Sequence, residues 1–325
     1  MNKPRVELAG RIIDFAKSNI ESSGIYGFGT HSFELFCSDR DDISKMIIEA
    51  FLPSNSIFPQ FKLYIIRESD YSDSDFLISV MHGERIYREI VDQNFIFACD
   101  ESQGMFYILD KIEHVGVVIL RQRSFLNEAS FITPFRLIFS WFANVFSAEI
   151  IHASAINYLD KGILFNGPSG SGKSTTAFLA LSRGASIVCD DVALFEDGLI
   201  HAVYRFGKIN SDNIYVDSQT LNSFEIPNGK SGKSILVLEK NRFTTNIKMD
   251  IVVLPQVSYI SGFRRLPSDL AFKLISENTL REIFGGLPSN MLRLKKIIDS
   301  YPVYRLALSG ETEVDLDNLE RIIAE

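Results

Sequence analysis

The residues best suited to chemistry stand in one stretch, Gly167-Pro168-Ser169-Gly170-Ser171-Gly172-Lys173-Ser174, which meets the pattern Gly-x4-Gly-Lys-Ser in full. Gly170 and Gly172 let the backbone curl so that successive N–H groups face an anion. A helix starting at the end of such a loop adds the partial positive charge of its N-terminus. Lys173 can reach the β- and γ-phosphates of a nucleoside triphosphate, and Ser174 offers a hydroxyl to Mg2+. Gly167, Ser169, Gly170, Ser171, Gly172, Lys173, Ser174 and Thr175 are therefore the candidate nucleotide-binding residues.

Asp190 and Asp191 close the next apolar run, where a strand end would bring them beside the phosphates. Two adjacent carboxylates are costly there unless a cation neutralises them. One can hold Mg2+, directly or through water, and the other can accept a proton from an attacking hydroxyl. An ordinary acidic turn is the bland alternative. His152 lies on an apolar stretch before the loop and, taken alone, reads as a core histidine; a strand bearing it next to the loop strand would bring its imidazole near the Asp pair. His31, His82 and His114 are too scattered for a metal site, and Gly229 to Ser234 is no second loop, because Pro227 stands where the first glycine is needed.

The surrounding pattern supplies what the loop requires. An apolar strand, Gly162 to Asn166, runs into it, a helical run from Ser174 to Leu181 follows, and a second strand, Ala185 to Cys189, ends at the Asp pair. Strand, loop, helix, strand is a βαβ unit. Further strands are expected at Leu194–Phe195, Ala202–Phe206, Ser234–Leu238, Ile251–Leu254 and Val303–Leu308, with helices at Pro267–Ile275, Ser289–Ile298 and Leu316–Ile323. This C-terminal part, residues 131–325, reads as an α/β domain with a mixed sheet. Residues 1–130 read as a small β-rich domain: a helical pattern stopping near Gly24, a shorter one from Ile43 to Phe51, and short strands joined by polar turns that suit antiparallel hairpins. Those strands are Ser32–Phe36, Phe61–Ile66, Phe76–Met81, Phe95–Ala98, Met105–Leu109 and Val115–Leu120.

With 325 residues, 46% apolar and 23% charged, the chain has the balance of a globular protein with two ordinary domains, and 26 phenylalanines promise aromatic cores. The net charge of −8 and the absence of Lys/Arg-rich runs argue against a nucleic-acid surface. Phe135 to Ile151 looks like a membrane span at first, but it carries Arg136, Asn144 and Glu149. Thr133 and Pro134 suit a helix N-cap and first position, so a buried helix is expected and no membrane association. Cys37, Cys99 and Cys189 fit neither a disulfide framework nor a zinc site. With no apolar leader at the N-terminus, a reducing, cytoplasmic setting is expected.

The order His152-Ala153-Ser154-Ala155, Gly162-Ile163-Leu164-Phe165, the glycine loop, Arg183-Gly184-Ala185 and Asp190-Asp191 resembles the C-terminal domain of HPr kinase/phosphorylase, and more closely the HPr-kinase-like serine kinases of bacteria. The resemblance continues through Val203-Tyr204-Arg205, Lys208, Lys233 to Leu236, Ile251 to Pro255, Glu277 to Leu280 and Pro302 to Leu306. It implies a kinase domain related to phosphoenolpyruvate carboxykinase that uses ATP and Mg2+ and phosphorylates a hydroxyl, typically of serine, on a peptide, protein or small molecule. By that match Asp190 accepts the proton of the acceptor hydroxyl, His152 sets its protonation, and Asp191 and Ser174 hold Mg2+. Arg205, Lys208, Arg264 and Arg265 become candidates for binding phosphate or substrate. The hexameric state of HPr kinase also admits a homo-oligomer. The Gly-, Asn- and Arg-rich signature of HPr kinase itself is missing, which argues against HPr as acceptor. A nucleotide-binding regulator without turnover is the alternative. A carboxykinase acting on oxaloacetate is disfavoured, since those enzymes are longer and need further metal ligands.

Overall fold

The chain divides into two units, Met1–Phe146 and Ser147–Glu325. The computed structural model describes residues 3–37, 42–71, 90–91, 94–100, 104–120, 133–210, 223–225, 233–237, 242–282 and 288–325. The strand expected at Phe76–Met81, His82 and most of the Gly229 to Ser234 segment lie outside the described residues.

In the N-terminal unit, helix α1 (Lys3–Asn19) is followed by β1 (Ser22–Phe28), β2 (His31–Cys37), α2 (Asp42–Ala50), β3 (Phe61–Arg67), β4 (Ile90–Val91), β5 (Phe95–Asp100), β6 (Met105–Asp110), β7 (Val115–Leu120) and α3 (Arg136–Val145). The sheet order is β1-β2-β3-β7-β6-β5-β4. Leu8, Ile12 and Ala16 recur at helical spacing and pack α1 on Tyr64, Ile66, Phe106 and Val117. Because side chains alternate along a strand, Phe61 of β3 points to the other face, where it stacks on Phe142 of α3 with ring centroids 3.9 Å apart. Phe33 meets Phe139 of the same helix edge-on at 5.2 Å.

Three expectations change here. The stretch from Ser22 to Phe28 is a strand rather than the end of a helix, and Gly24, at φ 148°, sits at the irregularity in its pairing with β2. The sheet is mixed: β5, β6 and β7 form the expected antiparallel meander, but β2 and β7 both run parallel to β3. Helix α2 lies in the connection between β2 and β3 and carries the chain back to the same end, which a tight hairpin cannot do. Finally, α3 was expected in the second domain, yet its aromatic face packs on the first sheet, so the division falls after Phe146 rather than at 130/131. Its N-cap is Phe135 in the left-handed region, not Thr133.

The C-terminal unit holds β8 (Glu149–Ile151), β9 (Ala153–Tyr158), β10 (Lys161–Asn166), α4 (Lys173–Ala180), β11 (Ser186–Cys189), β12 (Ala193–Glu196), β13 (Leu199–Ala202), β14 (Phe206–Asn210), β15 (Ser223–Glu225), β16 (Lys233–Val237), β17 (Asn246–Val257), β18 (Gly262–Arg265), α5 (Ser268–Glu282), α6 (Pro288–Asp299), β19 (Val303–Leu308) and α7 (Thr312–Ala324). Its main sheet runs β11-β9-β10-β17 and then forks. The first half of β17 pairs with β13, which leads on to β12 and β8, whereas its second half pairs with β19, which in turn pairs with β18. Strands β10, β17 and β19 are mutually parallel, and β9 is antiparallel to both its neighbours. The chain is α/β with mixed sheets.

The expected βαβ unit is therefore split. Strands β10 and β11 run the same way, but β9 lies between them. The strand expected over Ala202–Phe206 is instead two, β13 and β14, with Val203 to Arg205 between them. Strand β14 joins β16 and β15 in a small separate sheet. Helices α4 and α7 cover one face of the main sheet, burying Phe178, Leu316 and Leu319 with Phe165 and Leu306. Arg183, just past α4, donates to Asp317, Glu320 and Glu313 of α7, and the Tyr158 hydroxyl also donates to Glu320. Burial and that carboxylate push the Tyr158 hydroxyl up to about 12. No helix among the described residues is long and apolar enough to cross a membrane.

Gly162 marks the tightest approach in the sheet: a Cβ there would stand 1.9 Å from the Lys248 carbonyl oxygen. Backbone cannot rotate out of the way, so Gly162→Ala is expected to lower stability by about 3 kcal/mol, the upper end of the usual overpacking cost. A urea midpoint equal to the parent's would contradict this packing.

Candidate functional site

The glycine loop is fixed at both ends. At its start the side chain of Asn166, fully buried, donates to the His152 carbonyl (2.8 Å) and accepts from the Asn278 amide of α5 (3.1 Å). At its end Gly172 occupies the N-cap of α4 with φ 103°, and its carbonyl accepts the Thr176 N–H at 2.8 Å. A Cβ at Gly172 would lie 2.4 Å from Leu308 Cδ1, so both dihedral and space demand glycine. The Lys173 ammonium, buried, arches back onto the carbonyls of Gly167 (2.7 Å) and Pro168 (3.2 Å). The first-turn N–H groups of α4 have no acceptor within the helix, an arrangement chemically suited to an anion.

Beside it lies the acidic pair. Asp190 is 3% exposed. Its Oδ1 accepts the hydroxyls of Ser174 (2.7 Å) and Ser154, and its Oδ2 accepts the Lys208 N–H at 2.8 Å. Asp191 has φ 75°, a strained conformation for a residue with a side chain. Its carboxylate pairs with the Lys208 ammonium at 2.8 Å. His152 Nδ1 stands 2.9 Å from the Asp191 carbonyl and 3.5 Å from its carboxylate. A carbonyl only accepts, so Nδ1 carries the proton in this contact and Nε2 is the basic nitrogen of the neutral ring. Burial, reinforced by the neighbouring Asp190, pushes the Cys189 thiol up, which keeps it a neutral core residue.

Split pairing explains why these groups meet. Strand β9, inserted between β10 and β11, carries Ser154 to Asp190, and the residue before it, His152, to Asp191. His152 does stand at the Asp pair, and its Nδ1 lies against Asp191. Of the basic candidates Lys208 reaches the site. Arg264 and Arg265 are exposed on β18 and Arg205 is half-buried before β14; none of the three lines the cavity described next.

On the other side of the loop a cavity of about 500 Å³ opens between Gly167–Ser171, the end of β17 and helix α5, with Arg305 of β19 in its wall. Ser154, Asn166 and Arg305 were given no role from sequence. For Arg305 a signal existed, since a guanidinium inside the apolar strand Val303-Tyr304-Arg305-Leu306 is expensive without a use.

Mg2+ tolerates few protein ligands, taking one or two carboxylates and completing its shell with phosphate oxygens and water. The Ser174 hydroxyl with Asp190 fits that donor set. Among the described residues no three His, Cys, Asp or Glu side chains converge as a site for a metal held by protein alone.

No protein-family model and no curated protein matches the chain. Among solved structures the HPr(Ser) kinase/phosphatase from Coxiella burnetii is similar, at 14% identity, covering 55% of this chain and 99% of that chain with a TM-score of 0.28. A likeness of that size carries no conclusion about fold or chemistry.

Asp190→Ala would strand two hydroxyls and one backbone N–H in a buried setting. The expected loss is about 2–3 kcal/mol of stability, with Asp190→Asn losing less because an acceptor oxygen persists. Calorimetric melting of both variants checks the order.

Proposed function

We propose that the chain binds Mg2+ and a nucleoside triphosphate at the glycine loop and transfers the terminal phosphate to a hydroxyl of a peptide, protein or small molecule. The observation that carries this reading is the Ser174 hydroxyl bonded to Asp190 at the first turn of α4, with the Lys173 ammonium folded over the same loop. Ser174 and Asp190 would hold Mg2+, which when bound would supply positive charge to offset that of the phosphates. Lys173 is placed to leave the Gly167 and Pro168 carbonyls for those phosphates, adding a second cation.

The hydrogen bonds favour a division of labour between the carboxylates opposite to the one the sequence implies. Asp190 shares an oxygen with Ser174 and suits the metal side. Asp191 is the more accessible of the two carboxylates and sits between Lys208 and His152, so it is assigned the proton of the acceptor hydroxyl. Lys208, spanning both carboxylates, is assigned to orientation.

One observation favours the second reading, a nucleotide-binding regulator without turnover. Both Asp190 oxygens are already engaged and the residue is buried, as in a purely structural group. Nucleotide consumption with and without hydroxyl acceptors separates the two.

Lys173→Ala is expected to weaken Mg·ATP binding at least about 100-fold, the loss of a charge-assisted contact worth about 3 kcal/mol, with the circular dichroism spectrum unchanged. Parental affinity by titration calorimetry would remove the triphosphate reading.

For the carboxylates, Asp190→Asn is expected to weaken the Mg2+ dependence of nucleotide binding. Asp191→Asn should keep that binding and lower turnover by about 10²–10⁴. The reverse pattern would return proton acceptance to Asp190.

A further inference from the structure

A triphosphate lying along the glycine loop has two ends, and the sheet order gives each a flank. Asp190, Asp191 and Lys208 stand on the β11 side of β10, next to Ser174. The 500 Å³ cavity opens on the opposite side, at the ends of β17 and β19, with the first half of the loop as one wall. We infer that this cavity takes the nucleoside of the triphosphate, with the base against Leu254, Val257 and Leu274 and the ribose hydroxyls on Glu277. The inference rests on the loop being a triphosphate site and extends it to what lies beyond the phosphates.

The composition of the walls fits such an occupant. Pockets for small ligands run to roughly 300–1,000 Å³, mostly apolar with a few placed polar groups. Leu254, Val257 and Leu274 supply apolar surface for a flat ring. Leu274 and Glu277 are one helical turn apart on α5 and so share its cavity face. A carboxylate is an acceptor only, and beside bound phosphates it would repel them. The complementary group is a pair of hydroxyl donors, which a ribose provides. Helix α5 is itself tied to the start of the loop through Asn278 and Asn166, which fixes this wall relative to the phosphates.

Two unspent polar groups point the same way. Ser171 is 8% exposed and lines the cavity, and its hydroxyl has no hydrogen-bond partner among the described residues. Nor has Arg305 Nε, in the same wall. Leaving such buried groups unsatisfied costs about 1–3 kcal/mol each, a cost that an oxygen-rich ligand removes. An acceptor substrate is the wrong occupant, because its hydroxyl has to approach the terminal phosphate from the Asp190 flank.

The experiment uses the full chain and two probes, Mg·ATP and Mg·tripolyphosphate, which share their phosphates but not the nucleoside. Leu274→Trp narrows the cavity, and Glu277→Ala removes both acceptor oxygens at an exposed helical position. Leu274→Trp is expected to weaken ATP at least about tenfold while tripolyphosphate stays within about twofold. Glu277→Ala should erase most of the parent's preference for ATP over 2′,3′-dideoxy-ATP. Leu274→Trp binding ATP like the parent, or losing both probes alike, would overturn the assignment, as would an unchanged sugar preference in Glu277→Ala. If the parent bound neither probe, the loop's triphosphate reading would fall first and this one with it. Parental binding of tripolyphosphate without any preference for ATP would overturn the cavity assignment alone.

Discussion

Asp190 is the constraint on which the site depends. A carboxylate at 3% exposure is tolerated only when its charge is answered by donors, and three segments far apart in sequence answer it: Ser154 from β9, Ser174 from α4 and the Lys208 N–H from β14. Each of these donors is itself held by an element with its own core contacts. Strand β9 is paired on both sides, and α4 is packed under α7 by Phe178, Leu316 and Leu319. The Ser174 hydroxyl is thereby preorganised by the same bonds that satisfy the buried carboxylate.

The forked strand β17 explains how one sheet serves two flanks. Twelve residues long, it holds β10 in register through Gly162 to Phe165 while its other edge is divided between β13 and β19. The half that pairs with β19 extends beyond the end of β10, so its last residues, Leu254 to Val257, stand beside the loop rather than under it. That overhang creates the cavity wall. In an open sheet the crevice beyond the carboxyl ends of parallel strands is where ligands collect, and β10, β17 and β19 are the parallel strands here.

What the sequence revealed and what it hid follow from the range of the interactions concerned. The loop was legible because its requirements are local: positive φ at Gly170 and Gly172, a lysine and a hydroxyl at the start of a helix. The strands β10, β11 and β19 were legible as short apolar runs. Pairing was legible only in part: the strand ahead of the loop strand does bring His152 to the Asp pair, but that β9 also inserts between β10 and β11 depends on contacts across the sheet that no spacing encodes. The parallel core of the first sheet was hidden for the same reason. Helix α3 misled in a different way: its aromatic face would suit either core, and only packing decides which of them it joins.

Lys208 shows how the two carboxylates are held in one frame. Its backbone N–H donates to Asp190 and its ammonium to Asp191, so one residue sets the distance between the neighbouring side chains. That residue belongs not to the main sheet but to β14, which pairs with β16 and through it with β15. A displacement of this small sheet would loosen both carboxylates together, whereas a change in β9 would release Ser154 from one of them and leave the other with its lysine. Asp191 itself holds a left-handed backbone, at φ 75°. With its carbonyl committed to His152 and its carboxylate to Lys208, the residue is pulled from two sides. An alternative conformation would break one of those bonds, and the cost of the strain, about 1–3 kcal/mol, is comparable to what those two bonds return.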